Sequence, residues 1–474
     1  MDLSKNHIPA NVKTIHLIAI CGTGMGALAG MLQELGYNVS GSDQGVYPPM
    51  SDFLEQKGIK ASSGFNAENL AHKPDLIIVG NAVTKNNPEA QAMFEMDLNF
   101  CSMPQAINHF VANNKKIFLI TGTHGKTTTS SILAWLLYKA GLEPSFFIGG
   151  ILRDFNSNYS LGKGEHIVIE GDEYDTAFFD KGPKFLHYNP FMTVLTSIEF
   201  DHADIFHNLD HIKSAFDLMI SAISAQSTLI AYDNDKNVEE LVKNRVCQVL
   251  KYGKNTDSPW SLGNIDFESS STIFEVLKHG NFFGKFKTKL LGEHNLLNAL
   301  SVIAIADSLN ISKEIIALGL ETFQGPKRRQ EIRGIKNGVT IIDDFAHHPT
   351  AVRETVKAIK PLCKNGRLIA VFEPRTNTSM RQVFQDIYPF VFDDADMVCI
   401  RMPSRLDKIP EKERFSSEKL VEDIKNQGKA AWHFEDTEVI IEFIVGEAKA
   451  GDVVLIMSNG GFDDIHIRLL ESLT

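Results

Sequence analysis

Short apolar runs alternate with helix-like stretches along this chain, and many of the runs end in glycine or in charged residues. The first run, residues 15–20, leads into the glycine-rich segment CGTGMG and then into a helix-like stretch at 27–35 that stops at Gly36. A second run, residues 37–40, leads to Asp43, about twenty positions beyond the glycines. This order of strand, glycine loop, helix, strand and acidic residue predicts a β-α-β unit of the dinucleotide-binding type.

A second strand–loop–helix pattern occupies residues 117–141. The apolar run 117–120 is followed by TGTHGKTTTS and by the helix-like run SSILAWLLYKA, which Gly141 closes. Gly122 and Gly125 allow backbone N–H groups to turn toward phosphate oxygens, and the helix N-terminus adds its own donors. Lys126 would reach the β- and γ-phosphates, and the Thr127 hydroxyl would bind Mg²⁺. The alternative, in which the glycines only form a turn, explains the Lys-Thr pair less well.

Further runs predict more parallel strands. The segment at 75–83 repeats the strand-then-glycine pattern, although a plain core strand explains it nearly as well, and the glycine-proline pair and charge cluster at 324–333 mark a domain boundary. Beyond it, residues 339–345, 367–374, 397–400 and 452–457 read as strands of another α/β unit. The predicted fold class is therefore α/β, with domains at 1–112, 113–325 and 326–474.

Composition narrows the class of protein. The chain has 474 residues, 43% apolar and 22% charged, which is typical of a globular protein. Its net charge of −12, without a basic run, argues against nucleic acid as a partner. Five scattered cysteines indicate reduced thiols, and the lack of an apolar leader or of any run near ~20 apolar residues predicts a cytoplasmic protein that does not bind membranes.

Carboxylates cluster where another predicted strand ends. Glu170, Asp172, Glu173 and Asp175 follow the run at 167–169, and no Lys or Arg occurs before Lys181. Hard oxygen ligands beside a phosphate loop favour a Mg²⁺ site over a solvated acidic turn. The next apolar run, residues 193–200, is followed by His202, which stands between Asp201 and Asp204.

Polar residues also end the predicted strands of the third domain, where ligand crevices of parallel sheets lie. They are Asp343, Asp344, His347 and His348; Arg375, Asn377 and Arg381; and Ser458, Asn459, Gly460 and Gly461. Guanidinium groups suit carboxylates, so Arg375 and Arg381 are predicted to bind a carboxylate substrate. Exposed surface arginines are the alternative.

Six segments, TGTHGKTTTS, EGDEYD, EFDHADIF, GEHNLLNALS, GPKRRQE and DDFAHHPT, occur in this order, and with them the chain resembles the Mur ligase family. These enzymes are ATP-dependent amide ligases that act on UDP-N-acetylmuramoyl substrates in peptidoglycan assembly. The resemblance covers nearly the whole chain. It implies a Rossmann-like UDP-binding domain, a central P-loop ATPase-type domain and a C-terminal Rossmann-like domain.

The resemblance also implies roles for individual residues. The catalytic set is Lys126, Glu173, His202 and Arg329. The ATP contacts are Gly122, Thr123, Gly125, Lys126, Thr127, Thr128, His294, Asn295, Arg329 and Asp344. The Mg²⁺ ligands are Thr127, Glu173 and His202. The UDP-sugar contacts are Gly22, Thr23, Gly24, Met25, Gly26, Ser42, Asp43, Asn81 and His124. The peptide contacts are predicted from the polar strand ends of the third domain rather than from the resemblance, and they are His348, Arg375, Asn377, Arg381, Ser458 and Asn459.

One family feature is missing. The lysine that becomes carbamylated in several members is not found about fifteen residues beyond His202, where Phe216 and Asp217 stand. Metal binding is therefore expected to rest on Glu173 and His202.

Within the family, ICGTGMGALAG, SGSDQGVYPPMS, FEPRTNTSMR and MSNGGF look most like the member that attaches the tripeptide L-Ala-γ-D-Glu-meso-diaminopimelate to UDP-N-acetylmuramate in murein recycling. The expected cofactors are ATP and Mg²⁺, and the expected partners are these two small molecules. The L-alanine-adding ligase is the alternative. More distant readings are a folylpolyglutamate-type ligase, a nicotinamide-dependent oxidoreductase and a non-catalytic nucleotide-binding regulator. The sequence carries no indication of oligomeric state.

Overall fold

The structure is a computed structural model that describes residues 2–268, 271–403, 406 and 409–473. Its contacts divide the chain into two compact units. The first unit contains residues 1–198, 210–255 and 301–319, and the second contains residues 199–209, 256–300 and 320–474. Each is described by itself below.

The first unit begins with a parallel sheet. Its strands are β1 (Thr14–Ile18), β2 (Asn38–Asp43), β3 (Lys60–Ser63), β4 (Leu76–Val79) and β5 (Phe100–Ser102), in the order β3-β2-β1-β4-β5. The helices between them are α1 (Thr23–Glu34), α2 (Met50–Gln56) and α3 (Pro88–Glu95), followed by α4 (Met103–Ala106) and a π-helical turn at Ile107–Val111. The β-α-β unit predicted at the start of the chain is present, and its helix begins at Thr23, four residues before the predicted start.

A second sheet of the first unit carries the Lys126 loop. Its strands are β6 (Lys116–Thr121), β7 (Ser145–Leu152), β8 (Ser157–Ser160), β9 (His166–Gly171), β12 (Met192–Leu195), β13 (Thr228–Tyr232) and β14 (Gln248–Gly253), in the order β14-β13-β12-β6-β9-β7-β8. A small hairpin pairs β10 (Asp175–Ala177) with β11 (Asp180–Pro183). The helices are α5 (Lys126–Lys139), α6 (Leu209–Ala222) and α7 (Lys236–Leu241).

Strand β6 lies between β9 and β12 and runs parallel to both, so the chain leaves the middle of this sheet at the Lys126 loop. Residues 117–120 are almost completely buried, as expected for a strand covered on both faces. The predicted strand at 117–120 and the helix after the loop are confirmed, and the helix begins at Lys126 rather than at Ser130.

The second unit contains an antiparallel meander and a larger sheet. The meander pairs β15 (Trp260–Phe267), β16 (Thr272–Lys278) and β17 (Asn281–Thr288). The larger sheet has the order β18-β19-β23-β20-β21-β22, with strands β18 (Glu331–Lys336), β19 (Val339–Asp344), β20 (Leu368–Phe372), β21 (Met397–Arg401), β22 (Ala430–Phe434) and β23 (Val453–Met457). Strands β19 to β22 and β23 pair in parallel, while the edge strand β18 is antiparallel to β19.

Helices cover both faces of the larger sheet. They are α10 (Pro349–Ile359), α11 (Ser417–Asn426), α12 (Thr437–Glu447) and α13 (Ile465–Ser472). Two buried apolar clusters result, one including Val356, Phe372 and Leu420, and the other including Ile440, Ile456 and Leu469. Helices α8 (Glu293–Ser308) and α9 (Lys313–Thr322) precede this sheet in the chain. Among the described residues, no helix is long and apolar enough to span a bilayer.

Candidate active site

The Lys126 loop has the backbone that a phosphate-binding turn requires. Gly122 and Gly125 have φ angles of 122° and 81°, in the region that favours glycine. A Cβ on Gly122 would lie 2.1 Å from the Thr196 hydroxyl, so no side chain fits there. The loop leads directly into α5, whose first backbone N–H groups have no acceptor within the helix. These donors and the positive end of the helix dipole suit an anionic ligand.

Neighbouring residues after β12 hold the loop in shape. Ser197 accepts the Thr123 N–H through its carbonyl at 2.9 Å and the His124 N–H through its hydroxyl at 3.1 Å. The Thr196 hydroxyl donates to the carbonyl of Thr121, 3.1 Å away. The loop is therefore preformed by hydrogen bonds that need no ligand.

Lys126 lies in a largely buried group of charges, in which Glu173 is buried and Lys126 keeps 14% of its side-chain exposure. Its Nζ donates to Glu173 Oε2 at 2.9 Å and to the Gly122 carbonyl at 2.6 Å. Burial by itself lowers the pKa of Lys126, but the negative charges of Glu173 and Asp172 outweigh it, and the net pKa is raised. The lysine is thus held as a cation, pointed toward the loop carbonyl.

The acidic segment after β9 is paired by lysines that lie beyond it in the chain or in the loop. Lys184 contacts Asp172 at 3.0 Å, Lys181 contacts Asp175 at 2.8 Å, and Lys126 contacts Glu173. Glu173 contacts the loop lysine directly, and the charges of Asp172 and Glu170 also act on it. The metal site at these carboxylates stays a prediction.

The surroundings of Glu170 show whether a cation would fit beside Thr127. Burial, followed by the nearby charge of Asp172, raises the pKa of Glu170 to about 7, and the Thr127 hydroxyl contacts its carboxyl group. Within the described part of the chain, Glu170 Oε1 is a buried acceptor without a hydrogen-bond donor. An oxygen of this kind, next to a threonine hydroxyl and a second carboxylate, fits a hard divalent cation.

The first glycine loop, predicted to bind the UDP-sugar, runs from β1 into α1. Asp43, at the end of β2, accepts the Cys21 N–H at 2.9 Å and the Gly45 N–H at 3.2 Å. Gly26 packs closely, since a Cβ there would lie 2.5 Å from Met50 Sδ. Ser42 is completely buried and its hydroxyl donates to Glu89, whereas Asn81 is exposed beyond β4. The UDP-sugar contacts remain predictions.

In the second unit, one cluster joins four of the predicted nucleotide contacts. Asn295 is the third residue of α8. Its side-chain amide donates to the Leu291 carbonyl at 2.9 Å and to Gln330 Oε1 at 3.3 Å. Asp344 accepts the backbone N–H groups of Gln330 and Ala346, both at 2.8 Å. The Arg329 guanidinium lies 4.8 Å from the Phe345 ring centre. His294 precedes Asn295 in the first turn of α8.

Non-glycine residues with positive φ angles occur at this cluster and at His202. His202, Arg328 and Gln330 have positive φ angles of 52°, 59° and 51°, which non-glycine residues seldom adopt. Such conformations cost about 1–3 kcal/mol each and persist where the surroundings impose them, often in functional sites. These three lie within the motifs EFDHADIF and GPKRRQE, and other non-glycine residues with positive φ occur in turns elsewhere in the described chain.

The predicted peptide contacts differ in how far their side chains are already engaged. His348 is buried, and it accepts the Thr350 N–H at the start of α10 while its other ring nitrogen lies 3.1 Å from the Phe200 carbonyl. Asn377 donates to Asp204 at 2.9 Å, and Arg381 pairs with Glu413.

Arg375 is held less tightly, because its nearest carboxylate oxygen, on Glu373, is 3.5 Å away. A Cβ on Gly460 would lie 2.3 Å from Arg375 Nε, so the glycine makes room for this guanidinium. Ser458 donates to Glu373, and Asn459 is the residue between Ser458 and Gly460. Arg375 is therefore the stronger candidate for a carboxylate ligand.

Several residues that shape the site were not predicted from the sequence. Lys184 neutralises Asp172, and Thr196 and Ser197 hold the Lys126 loop. Arg328 donates to the carbonyls of Ser458 and Gly460, both at 2.6 Å. Arg328 lies inside GPKRRQE and could have been noted there; the others carry no local signal.

Three family models match the chain. The Mur ligase family catalytic domain matches residues 14–115, the Mur ligase middle domain 120–306, and the Mur ligase glutamate ligase domain 328–460. The chain belongs to the Mur ligase family. The three-domain Mur ligase architecture predicted from the motifs is confirmed, while the predicted boundary residues between the domains stay a prediction.

Individual Mur ligases resemble the chain over its whole length. It is 38% identical over 460 residues to the UDP-N-acetylmuramate–L-alanyl-γ-D-glutamyl-meso-2,6-diaminoheptandioate ligase of Escherichia coli K12, with 97% of this chain and 98% of the relative covered. A murein peptide ligase structure from Psychrobacter arcticus is 34% identical, with a TM-score of 0.71 and 98% and 99% coverage. A UDP-N-acetylmuramate-alanine ligase structure from Thermotoga maritima is 25% identical, with a TM-score of 0.80 and 97% and 99% coverage.

Proposed function

We propose that this Mur ligase joins UDP-N-acetylmuramate to the tripeptide L-Ala-γ-D-Glu-meso-diaminopimelate, at the expense of ATP, in peptidoglycan recycling. The observation that carries the proposal is the 38% identity, over 97% of the chain, to a ligase named for these substrates. UDP-N-acetylmuramate–L-alanine ligases are less similar, with 33% identity over 95% of the chain for the Clostridium tetani relative and 25% for the Thermotoga maritima structure. The backbone of the latter nevertheless superposes better, with a TM-score of 0.80 against 0.71. Backbone similarity reports the fold that both ligases share, whereas the choice of amine depends on side chains.

The chemistry follows from the poor reactivity of a carboxylate. Oxide is a very poor leaving group, so the lactyl carboxylate of the sugar must first accept the γ-phosphoryl group of ATP. The amine of the tripeptide then attacks the acyl phosphate, the C–O bond to phosphate breaks, and an amide, ADP and phosphate result. No nucleophilic side chain is needed, and the protein contributes positioning and charge stabilisation.

Residues of the Lys126 loop fit this demand. Lys126, already cationic, would leave Glu173 and Gly122 to contact the transferring phosphoryl group, and the N–H groups at the start of α5 would bind the neighbouring phosphates. Thr127, Glu170 and Glu173 would hold Mg²⁺, and the family resemblance predicts His202 as a further ligand. The metal supplies neutralisation of the phosphate charge as the two anionic reactants approach. Arg329 is the proposed second cation for the phosphates.

Substrate selectivity at the peptide end is assigned to Arg375. Its guanidinium is partly exposed, weakly paired and given space by Gly460. The tripeptide carries several carboxylates that free L-alanine lacks, and bidentate contact with a carboxylate is what arginine provides. The nicotinamide and regulator readings lose their support, because family matches to ligase domains extend from residue 14 to residue 460.

Phosphate release with different amines tests the proposal. Purified protein is incubated with ATP, Mg²⁺ and UDP-N-acetylmuramate, together with either the tripeptide or L-alanine. Phosphate release is followed, and the masses of the products are measured by mass spectrometry. We expect release that depends on both the sugar and the tripeptide, and a product with the summed mass less one water. A kcat/KM for L-alanine equal to or above that for the tripeptide would assign the protein to the alternative function.

A further inference from the structure

A buried carboxylate lies beneath the first glycine loop. Glu89, in the first turn of α3, is completely inaccessible to solvent. Uncompensated burial of an ionised carboxylate is costly, so its partners must offset that cost. Burial raises the pKa of Glu89, but the neighbouring His16 ring and hydrogen bonds from Asn69 and Ser42 outweigh this and hold its pKa below the usual value. These partners therefore favour the ionised form of the buried Glu89 carboxyl group.

The partners of Glu89 come from three separate segments. Oε2 accepts the Ser42 hydroxyl of β2 and lies 3.5 Å from Nε2 of His16 on β1. Oε1 accepts the side-chain amide of Asn69 and the backbone N–H of Asn66, the latter at 3.2 Å, from the segment after β3. One carboxylate thus fixes the carboxyl end of β2 against its neighbours.

Ser42 passes this constraint to the glycine loop. Its carbonyl accepts the N–H groups of Ala19 and Ile20, at 2.9 and 3.0 Å, in the turn that leaves β1. Ala19 has a φ of 67°, so these bonds hold the turn in a conformation that alanine seldom adopts. The next residue, Asp43, binds the Cys21 N–H with its carboxylate. Residues 19–22 are thereby fixed by Ser42 and Asp43 together.

We propose that Glu89 is a positioning residue for nucleotide-sugar binding: through Ser42 it sets the turn at residues 19–22 that presents the glycine loop to the diphosphate of UDP-N-acetylmuramate. This inference rests on the proposed function. Glu89 makes no substrate contact of its own. Ser42, predicted as a direct UDP-sugar contact, acts through its backbone carbonyl, since its hydroxyl is engaged by Glu89.

The test measures binding of UDP-N-acetylmuramate and of ATP separately by calorimetry. Glu89→Gln keeps the shape and removes the charge, and Ser42→Ala removes the hydroxyl. Both are expected to weaken UDP-N-acetylmuramate binding about tenfold, comparable to the loss when a residue that supports a ligand group is changed. ATP binding should stay within twofold of wild type. The double variant should bind UDP-N-acetylmuramate no more weakly than the single variant with the lower affinity, because both substitutions break the same Glu89–Ser42 contact.

Two controls separate positioning from loss of stability. Asn87→Ala removes the N-cap of the same helix, where the Asn87 side chain accepts the N–H groups of Glu89 and Ala90, and should lower Tm without weakening sugar binding. Glu95→Gln changes an exposed residue at the other end of α3 and should alter neither. If Glu89→Gln does not fold, Ser42→Ala decides.

The outcomes are distinct. Sugar affinity within twofold of wild type in Ser42→Ala or a folded Glu89→Gln variant overturns the inference. The inference is also overturned if Asn87→Ala loses as much sugar affinity as Glu89→Gln when the two variants show the same drop in Tm. A wild-type protein that fails to bind UDP-N-acetylmuramate at all removes the proposed function instead.

Discussion

At the scale of single residues, Lys126 combines two requirements that oppose each other. It must remain charged while buried, and it must be free to move to a phosphate. Glu173 and Asp172 meet the first by raising its pKa. Lys126 can also move to a phosphate, because the ammonium group that bonds to Glu173 and Gly122 has rotatable donors on a flexible side chain.

Lys126→Ala is expected to reduce ligation severely while UDP-N-acetylmuramate still binds. Loss of a single charge-stabilising donor typically lowers turnover about 10²–10³-fold. Sugar binding should be retained because the loop at 19–26 is a separate element. Steady-state phosphate release and calorimetry with the sugar measure the two effects. Lys139→Ala, at the other end of α5, is the matched control and should leave both unchanged. An unaltered kcat in Lys126→Ala would remove this loop from the mechanism.

At the scale of elements, the sequence predicted the strands around each site well. The runs at 117–120, 339–345 and 452–457 correspond to β6, β19 and β23, since buried parallel strands are continuous apolar segments. Helix starts were placed too late. Helices α1 and α5 begin inside their loops, at Thr23 and Lys126, because glycines and polar residues there belong to the first turn.

Long-range partners could not be predicted in this way. Glu89 follows Asn87-Pro88, an ordinary helix start where an acidic residue is favoured by the helix dipole and usually remains in water. Its burial depends on Ser42, 47 positions away. Likewise the pairing of Glu173 with Lys126 spans 47 positions and left no trace in the local pattern. The local sequence pattern predicts individual strands and helices, whereas contacts between distant elements are seen only once the fold is known.

The start of β20 is tied to the turn before β23 by one such contact. Asp452 is buried and accepts two hydrogen bonds from Arg367, one from the backbone N–H at 2.8 Å and one from the guanidinium Nη2 at 2.7 Å. Burial raises the pKa of Asp452, but the hydrogen bonds from Arg367 outweigh it and the net pKa is lowered. A lowered folded-state pKa means that the contribution to stability is full above the unfolded value of 3.8 and is lost as pH falls below it.

Asp452→Asn should therefore destabilise the protein in a pH-dependent manner. We expect a loss of about 2 kcal/mol at pH 7, typical of a hydrogen-bonded charged group. The difference from wild type should shrink as pH falls below about 4, where the wild-type carboxylate also loses its charge. Thermal unfolding at several pH values measures this. Asp394→Asn, at an exposed site, is the control. A difference that stays constant from pH 7 to pH 3 would show that charge is irrelevant to this contact.

At the scale of the whole molecule, sequence order and compactness divide the chain differently. The family models follow the order of the chain, whereas the second compact unit combines residues 199–209 and 256–300 with everything from 320 onward. Phe200 and Leu291 belong to the second unit, and both pack against the apolar cluster around Phe372. The predicted boundary at 326 thus cuts away two side chains that contribute to this core.

A fragment of residues 326–474 is expected to fold by itself with reduced stability. The fully buried members of both apolar clusters lie between Val339 and Leu473, so the fragment retains both faces of its sheet. The fragment loses the partly buried apolar contacts of Phe200 and Leu291. It also loses the hydrogen bonds that join His348 to Phe200, Asn377 to Asp204 and Gln330 to Asn295. We expect dispersed amide resonances and a cooperative thermal transition at a lower temperature than in the full chain. Val454→Asp in the same fragment should abolish both, because it places a charge in the core.

A fragment without dispersed resonances would contradict the boundary at 326. A longer form, the same fragment with residues 256–325 added, then restores Leu291 but not Phe200, and its behaviour shows which contact is decisive. Folding of the longer form alone would assign Leu291 and the start of α8 to the C-terminal folding unit. Failure of both forms would make residues 199–209 part of that unit, because Phe200 is the remaining contact with its core.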